Sequence, residues 1–530
     1  MSPKETFTAE ERQLLTPFVT SLEGPVFALR NLPQVTMGAL FARYSRYPGT
    51  LRRLMLDEFG EDLEANLTAA APTEGSRAQA LYERIFLGYG DDSVAQLGGA
   101  HVACEWVSNV MTKVLQRPRL GAYLEQSTRY IAYDRPMPGG GYRYYRSTEL
   151  GSAYETAMDS LFQTYSELLP QAAAWAAEAF PIESAESPQV HERAVSAKAL
   201  DLTRGLLPAA SLSHVGIFAS GQTYESLILH LLANPLPEAR TYGGLILTAL
   251  QATMPSFVAR IERPDRGGRW IEFLTAREDE ARAAAKRFGI SRAGNQEGPL
   301  VRLLHSEGNE VELLKALLFE SSGVSEGEIA SHLARLDSTD RAATIAALAG
   351  PRSNRRHRPG RGFEGLRYRF EIVSDYGAFR DLQRHRMLTV QWQTLGPHLG
   401  AEVPEGIKAA GGAEAYEQAL ERSRAAWEDL VDEGQALLAP YALCLAYRIR
   451  YVLDLNAREA IHLIELRSGR EGHPSYRAIA QEMHRQIALV HPAVGAAMAF
   501  LDNSSEPRLE RLLAEIRGEA RRSGVEQREE

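Results

Sequence analysis

The chain has 530 residues, 44% of them hydrophobic and 24% charged, with a formal net charge of −9. That length exceeds what one core usually organises, and the composition is globular, so two domains are expected and extensive disorder or a fibrous repeat is excluded. The acidic balance argues against nucleic acid as a partner; no apolar run reaches the ~18 residues of a membrane span, and MSPKETFTAEERQ lacks a secretory apolar stretch, so a cytoplasmic chain with no membrane partner is expected.

From Glu10 to Leu115 the apolar residues follow helical spacing, with FARYSR, TLRRLMLDEFGEDLEANL and SRAQALYERIFL as amphipathic pieces broken at Pro48, Pro72 and Gly88 to Gly90. DRPMPGGGYRYYR predicts a loop, and helices follow over Leu150 to Phe180 and His191 to Leu207. RPDRGGRW and SRAGNQEG flank the charged helical FLTAREDEARAAAKRF, which makes residues 263–298 a connector between a first domain, 1–262, and a second, 299–530. Beyond it LVRLLH starts a strand, NEVELLKALLFE, VSEGEIASHLARL and TDRAATIAALA read as helices, and EQREE is a fraying polar tail. Cys104 and Cys444 sit among apolar or aromatic neighbours and read as inert buried thiols. With neither HExxH nor CxxC, no metal site is expected.

Two stretches correspond: RPRLGAYLEQSTRY at 117–130 and RHRMLTVQWQTLGP at 384–397, each opening on Arg-x-Arg after a glutamine. Comparable segments follow at similar distances, TRGLLPAASLSHVGIFASGQTYESLILHLL and YALCLAYRIRYVLDLNAREAIHLIELR, an order that a duplicated unit explains. In an extended chain Arg117 and Arg119 share a side, as do Glu125, Ser127 and Arg129. These form either a polar wall that holds a nucleotide, Arg129 forking onto a phosphate or base carbonyl, or a solvated strand face. Arg384 and Arg386 lie opposite His385, a grip on a diphosphate or anionic ring, or again a surface strand. For Asn456 and Arg458 to meet one ligand, a helix must begin near Asn456, a favoured cap, and Arg467 then shares the face of Asn456 three turns on. The five arginines of RSNRRHRPGRG form an RNA-binding tract, a phosphate loop or a solvated loop, and the absence of interleaved aromatics weakens the first. Glu364 follows that tract.

Together these segments resemble the flavin-dependent thymidylate synthases, whose signature is Arg-His-Arg-x-x-Ser-x-Asn-x-x-Ser-x-Arg-Tyr. The first copy keeps Arg117, Arg119, Glu125, Ser127, Arg129 and Tyr130 but has Pro118, Ala122 and Leu124 at the histidine, serine and asparagine places. The second keeps Arg384, His385 and Arg386 and departs at Thr389, Gln391, Thr394, Gly396 and Pro397. Arg204, Leu207 and Pro208 match the family's Arg-x-x-Leu-Pro element, and Asn456-Ala457-Arg458 its Asn-Ala-Arg element, where the first copy reads Ser220-Gly221-Gln222. Arg467 resembles a second deoxyuridylate arginine, His473 a flavin-adjacent histidine and Glu364 a cofactor-orienting glutamate; Ser93 looks like the remnant of that last segment in the first copy.

The resemblance implies an α+β fold of two tandem copies, each a curved antiparallel sheet with helices, helix-rich overall. It implies dTMP formation from dUMP, methylenetetrahydrofolate and NADPH through FAD, without a cysteine nucleophile. Glu125, Ser127, Arg129, Arg204 and Arg467 would bind substrate, with Arg204, Arg467 and His385 catalytic. Glu364, Arg384, His385, Arg386, Asn456, Arg458 and His473 would hold FAD. Each copy thus keeps one end of the site, and two chains are expected to pair into a homodimer resembling the family's tetramer. The alternative is a non-catalytic or regulatory FAD- or nucleotide-binding homologue that lost turnover, motivated by the missing serine and asparagine.

Overall fold

The computed structural model describes residues 6–19, 21–23, 29–44, 50–68, 95–137, 140–183, 187–290 and 300–522. The piece SRAQALYERIFL, Ser93, SRAGNQEG and the EQREE tail lie outside the described residues. The chain divides into two compact units, one of Met1–Val107, Val114–Gln126 and Ser213–Arg292, the other of Ser108–Lys113, Ser127–Leu212 and Ala293–Glu530. Residues 127–212 therefore belong to the same unit as the second half of the chain.

The first unit carries a three-stranded sheet of β1 (Gly99–Ser108), β2 (Ala122–Glu125) and β3 (Leu212–Ser220), in the order β1-β3-β2. β2 runs antiparallel to β3, with Glu125 opposite Val215. The helix Gly221–Leu232 grows directly from β3 because the Ser220 hydroxyl accepts from Thr223 N. A separate apolar cluster of Leu15, Phe18, Leu54, Met55, Phe59 and Leu63 joins the helices Ala9–Leu15 and Leu51–Thr68. The helix expected from FLTAREDEARAAAKRF is present as Arg269–Arg287, burying only Leu274, and belongs to the first unit.

The second unit is organised by an antiparallel sheet in the order β4-β5-β7-β6, formed by β4 (Leu300–Glu307), β5 (Arg367–Asp375), β6 (Leu388–Trp392) and β7 (Arg448–Asn456). Period-two alternation buries Tyr368, Phe370 and Ile372 of β5 with Ile449, Tyr451, Leu453 and Leu455 of β7. The helices Ala457–Arg467 and Pro474–Val490 pack on this sheet. β5 and β7 each turn straight into a helix capped by the strand's last residue. Asp375 accepts from Ala378 N at 2.8 Å, and Asn456 from Glu459 N at 2.9 Å, so the helix begins where the asparagine predicts. The helices Gly151–Ala179 and Pro188–Thr203, from the first half of the sequence, pack on each other, and the former also packs on Ala413–Asp432. No helix among the described residues is long and apolar enough to cross a membrane.

Two local expectations are corrected. Glu125, Ser127 and Arg129 do not share one extended face, because β2 ends at Glu125 and the Ser127 hydroxyl takes the Arg129 N–H at 3.2 Å, folding 127–131 into a turn closed by Tyr130 N on Ser127 O. Arg384-His385-Arg386 is likewise a turn after the helix Tyr376–Leu382, not a strand, yet His385 is buried and both arginines are exposed, so the opposite sides hold. Both cysteines are buried and free, and burial pushes each thiol up to about 12.

Within the arginine tract Arg352 is an anchor, not a solvated residue. Its guanidinium meets Glu465 at 2.8 and 2.5 Å and the Ala497 carbonyl at 3.0 Å, with both charged side chains almost wholly buried. Arg352→Ala strands the Glu465 carboxylate, which should cost about 3–5 kcal/mol. A Glu465→Gln, Arg352→Met double variant should recover most of that loss in urea unfolding, whereas an Arg352→Ala transition at the wild-type midpoint would contradict the anchor.

Candidate active site

Every group described next lies in the second unit except where stated. The turn that withdraws Arg129 from the strand directs its guanidinium onto Asp201, Nε to Oδ1 and Nη2 to Oδ2, each at 2.6 Å. Nη1 donates to Tyr476 OH at 2.8 Å and Nη2 to the Glu471 carbonyl at 3.3 Å, so protein partners occupy all three nitrogens. Burial alone would raise the Asp201 carboxyl, but the charge and hydrogen bonds of Arg129 outweigh it and hold the group ionised far below the usual carboxylate range. His473 caps the helix Pro474–Val490: Nδ1 accepts from Ser475 N at 3.2 Å, which leaves Nε2–H to donate to the Asp201 carbonyl at 3.3 Å. Burial, then the charge of Arg204, holds this imidazole neutral well below its ordinary pKa.

Asp381, at the end of the helix Tyr376–Leu382, is the second anionic centre. Nη1 atoms of Arg204, Arg384 and Arg467 each lie 3.7 Å from one of its oxygens, beyond hydrogen-bond length, so the attraction is electrostatic and not directional. Burial again opposes ionisation, and Arg384, Arg467 and Arg204 outweigh it. Arg204, buried at the C-cap of Pro188–Thr203, keeps Nη2 with no hydrogen-bond partner, as the buried Tyr416 hydroxyl does. A side chain at Gly377 would crowd that nitrogen, its Cβ 3.2 Å away. Tyr476 stands between the two centres, with the Arg129 and Arg467 guanidinium carbons 5.8 and 5.5 Å from its ring centroid.

From Arg467 a hydrogen-bonded chain continues inward. Its Nε donates to His385 Nε2 at 3.1 Å, which puts the imidazole proton on Nδ1, donating to Glu459 at 2.9 Å. Burial, with Arg467 and Arg358 behind it, keeps His385 neutral, and burial raises the Glu459 carboxyl. His462 accepts from Arg358 at 3.2 Å, and burial brings its pKa down to about 4. The ligand atoms of His385, Glu459 and His462 lie within 4.8 Å of one another, a spacing a metal ion tolerates. Two guanidiniums already occupy nitrogens of this trio, so the surroundings repel a cation and favour an anion. Farther along, Arg458 donates from Nε to the Pro359 carbonyl at 2.9 Å and sits 3.6 Å from Glu364, which also holds Arg361.

Of the residues the sequence singled out, Arg129, Arg204, Arg384, His385, Arg467 and His473 converge in these linked groups, and Arg458 and Glu364 pair beside them. Asn456 spends its side-chain oxygen on capping, Arg386 is exposed and Ser127 is spent on the turn. Glu125 belongs to the first unit, where it accepts from Gln116 at 2.8 Å. Sequence reasoning missed Asp201, Asp381, Tyr476, Glu459 and His462. Asp201 and Asp381 each stand three residues before a singled-out arginine, one helical turn away, a spacing that was readable.

The thymidylate synthase complementing protein family matches residues 51–256 and 318–493 of this chain. Similar relatives include a UPF0159 protein of Chlamydia muridarum, 36% identical over 98% of this chain and 100% of the relative. Another is from Chlamydia pneumoniae, 35% identical over 98% and 99%. A UPF0159 protein of Thermoplasma acidophilum is 31% identical over 93% and 100%. Among solved structures, the UMP/dUMP methylase PolB of Streptomyces cacaoi bound with 5-Br dUMP aligns with 40% of this chain and 100% of its own at 18% identity and a TM-score of 0.32, a likeness too low to speak to function.

The neutral histidines have a pH signature. In the unfolded chain His462 takes up a proton near 6.5, whereas in the folded chain it does so only near 4. Between those values the unfolded state binds more protons, so stability falls as pH drops from about 6.5 toward 4. His385 and His473 act in the same direction, Glu459, raised by burial, acts against it, and the stability from Asp201 and Asp381 persists through this window and is lost only at still lower pH. Melting temperature measured from pH 7.5 to 4.5 should decline, and His462→Gln should shallow that decline; an unchanged slope in the variant would refute the assignment.

Proposed function

Because the chain belongs to the thymidylate synthase complementing protein family, we propose that it is a flavin-dependent thymidylate synthase, converting dUMP to dTMP with methylenetetrahydrofolate and NADPH through FAD. The observation that carries this reading is the meeting, inside one chain, of Arg129 and Arg204 from the first half with Arg384, His385, Arg467 and His473 from the second. The two halves, 1–262 and 299–530, then act as copies that each supply one end of a single site.

The residues suit the groups this reading requires. Arg204 has a buried donor without a partner, and Arg467 lies one carboxylate away; fixed cations in so dry a place hold a phosphate and stabilise negative charge as it develops on a uracil ring. Arg129, its nitrogens engaged by Asp201, Tyr476 and Glu471, would wall the nucleotide side by charge and shape, with Ser127 fixing the turn that places it. His385 would face the cofactor as a neutral imidazole whose tautomer is set by Arg467 and Glu459. Arg384, Arg386 and Arg458 present cations suited to a dinucleotide's phosphates, with Glu364 orienting Arg458, Asn456 fixing the helix start and His473 closing the nucleotide side. When bound, FAD supplies hydride and carbon-transfer chemistry. No thiol nucleophile takes part, in keeping with two cysteines held protonated by burial. We further propose that two chains assemble as a homodimer in the cytoplasm, reproducing four copies.

The test is the spectrum of the purified chain supplied with FAD, recorded anaerobically with NADPH and then with dUMP. FAD should bind and bleach faster with dUMP present. Arg204→Ala should lower turnover about 100-fold or more, and Arg129→Ala and Arg384→Ala should each abolish the dUMP response. A protein that cannot be loaded with FAD would overturn the proposal; loading without dTMP formation would favour the non-catalytic homologue.

A further inference from the structure

The C-terminal segment brings a fifth arginine to this region. Leu509 packs with Ala176, Ala194 and Val195, and Glu510 forms a buried ion pair with Lys198 at 2.6 Å. The helix Leu512–Arg522 then lies along Pro188–Thr203 through Arg193 with Glu515 at 2.7 Å and Ser187 with Glu519 at 2.9 Å. The segment is thus fixed to the helix that carries Asp201 near its end and Arg204 as its C-cap.

Between these anchors Arg511 is 5% exposed, and its Nε and Nη1 are buried with no hydrogen-bond partner. Its guanidinium carbon lies 3.7 Å from the centroid of the Tyr130 ring, next to Arg129 in sequence, and the charges of Arg129 and Asp201 reach it. Tyr130 is 67% exposed, so the stacked pair opens to solvent on the ring's side. A guanidinium held in a dry place with open donors is costly, and stacking on one tyrosine offsets only part of that cost. Arg129 needs no such partner, its nitrogens all being engaged by Asp201, Tyr476 and Glu471. Among the arginines named around Asp201 and Asp381, buried donors without a hydrogen-bond partner belong to Arg204 and Arg511.

We propose that Arg511 is a further substrate-binding residue, donating to the phosphomonoester of the nucleotide from a segment outside both family-matched stretches. The inference rests on the reading of this site as a nucleotide site. It assigns the C-terminal segment a share in recognition, with Tyr130 as the platform that holds the guanidinium in place. Because the contact is to phosphate, it discriminates dUMP from deoxyuridine, which a purely structural role for Arg511 would not do.

Calorimetric titration of the full chain with dUMP and with deoxyuridine separates the possibilities. Arg511→Ala should weaken dUMP about tenfold or more and leave deoxyuridine unchanged, with Arg511→Lys intermediate. Equal affinity of the wild-type and both variant chains for dUMP would overturn the inference and leave the proposed function standing. A parallel loss for both ligands would also overturn it, marking Arg511 as structural. Should Arg511→Ala fail to fold, Arg511→Lys decides: about threefold weakening for dUMP alone supports the contact, and none overturns it. A wild-type chain that binds no dUMP overturns the nucleotide reading and this inference with it.

Discussion

Buried carboxylates are what permit so many guanidiniums inside one unit. A lone charge in such surroundings is costly enough that the chain would unfold or the group be expelled, and arginine cannot escape by losing its proton. Asp201 and Asp381 resolve this in different ways. Asp201 grips Arg129 bidentately at 2.6 Å, which fixes a geometry; Asp381 sits 3.7 Å from each of Arg204, Arg384 and Arg467, which balances charge without a directed hydrogen bond and leaves Arg204 Nη2 open. A tight pair makes a rigid wall, and the looser cluster keeps the Arg204 donor for something else. Buried pairs of this kind are weak evidence for stability, so placement is the better account of why they are here.

Placement in turn depends on strand ends. β3, β5 and β7 each finish on a residue, Ser220, Asp375 or Asn456, whose side chain caps the helix that follows. The strand-to-helix corner recurs in both halves of the sequence, and in the second unit it delivers Asp381 from one helix and Glu459, His462 and Arg467 from another. Close approach completes the arrangement. At Gly205 any Cβ would collide with the Tyr416 hydroxyl, and at Gly377 it would press on Arg204. Glycine at these positions lets the Arg204 turn and the Asp375 corner sit as near as they do.

What the sequence made legible was local. The Asn456 helix start, the Arg269–Arg287 helix, β4 and the opposite sides of Arg384 and His385 all follow from caps and periodicity, which act between near neighbours. The shared extended face of Glu125, Ser127 and Arg129, on which both the wall and the strand-face readings stood, is absent for a reason equally local but invisible to alternation: a serine hydroxyl competed for the Arg129 N–H and bent the chain. Arg352 looked like one more solvated arginine because its partner Glu465 is over a hundred residues away in sequence. Tyr476 went unread for the same reason, since its part is defined by what packs beside it and not by any motif it sits in, whereas Asp381 was within reach of its i,i+3 spacing to Arg384.

The pattern of loss in the two signatures then has a physical explanation. A residue is retained where something depends on it, and in this chain Arg129 and Arg204 stand against groups from the second half, Arg129 on Tyr476 and Arg204 beside Asp381. On the proposed reading, with these partners present in one chain, a second arginine at the Pro440 position or an Asn-Ala-Arg at Ser220 would have nothing left to hold. Pro118 in one copy and Gly396 in the other fall at places where the opposite copy keeps the family residue, His385 and Arg129 respectively. If the two copies share one site, as proposed, complementary decay is the expected outcome, because only the surviving half of each signature would remain under a geometric constraint.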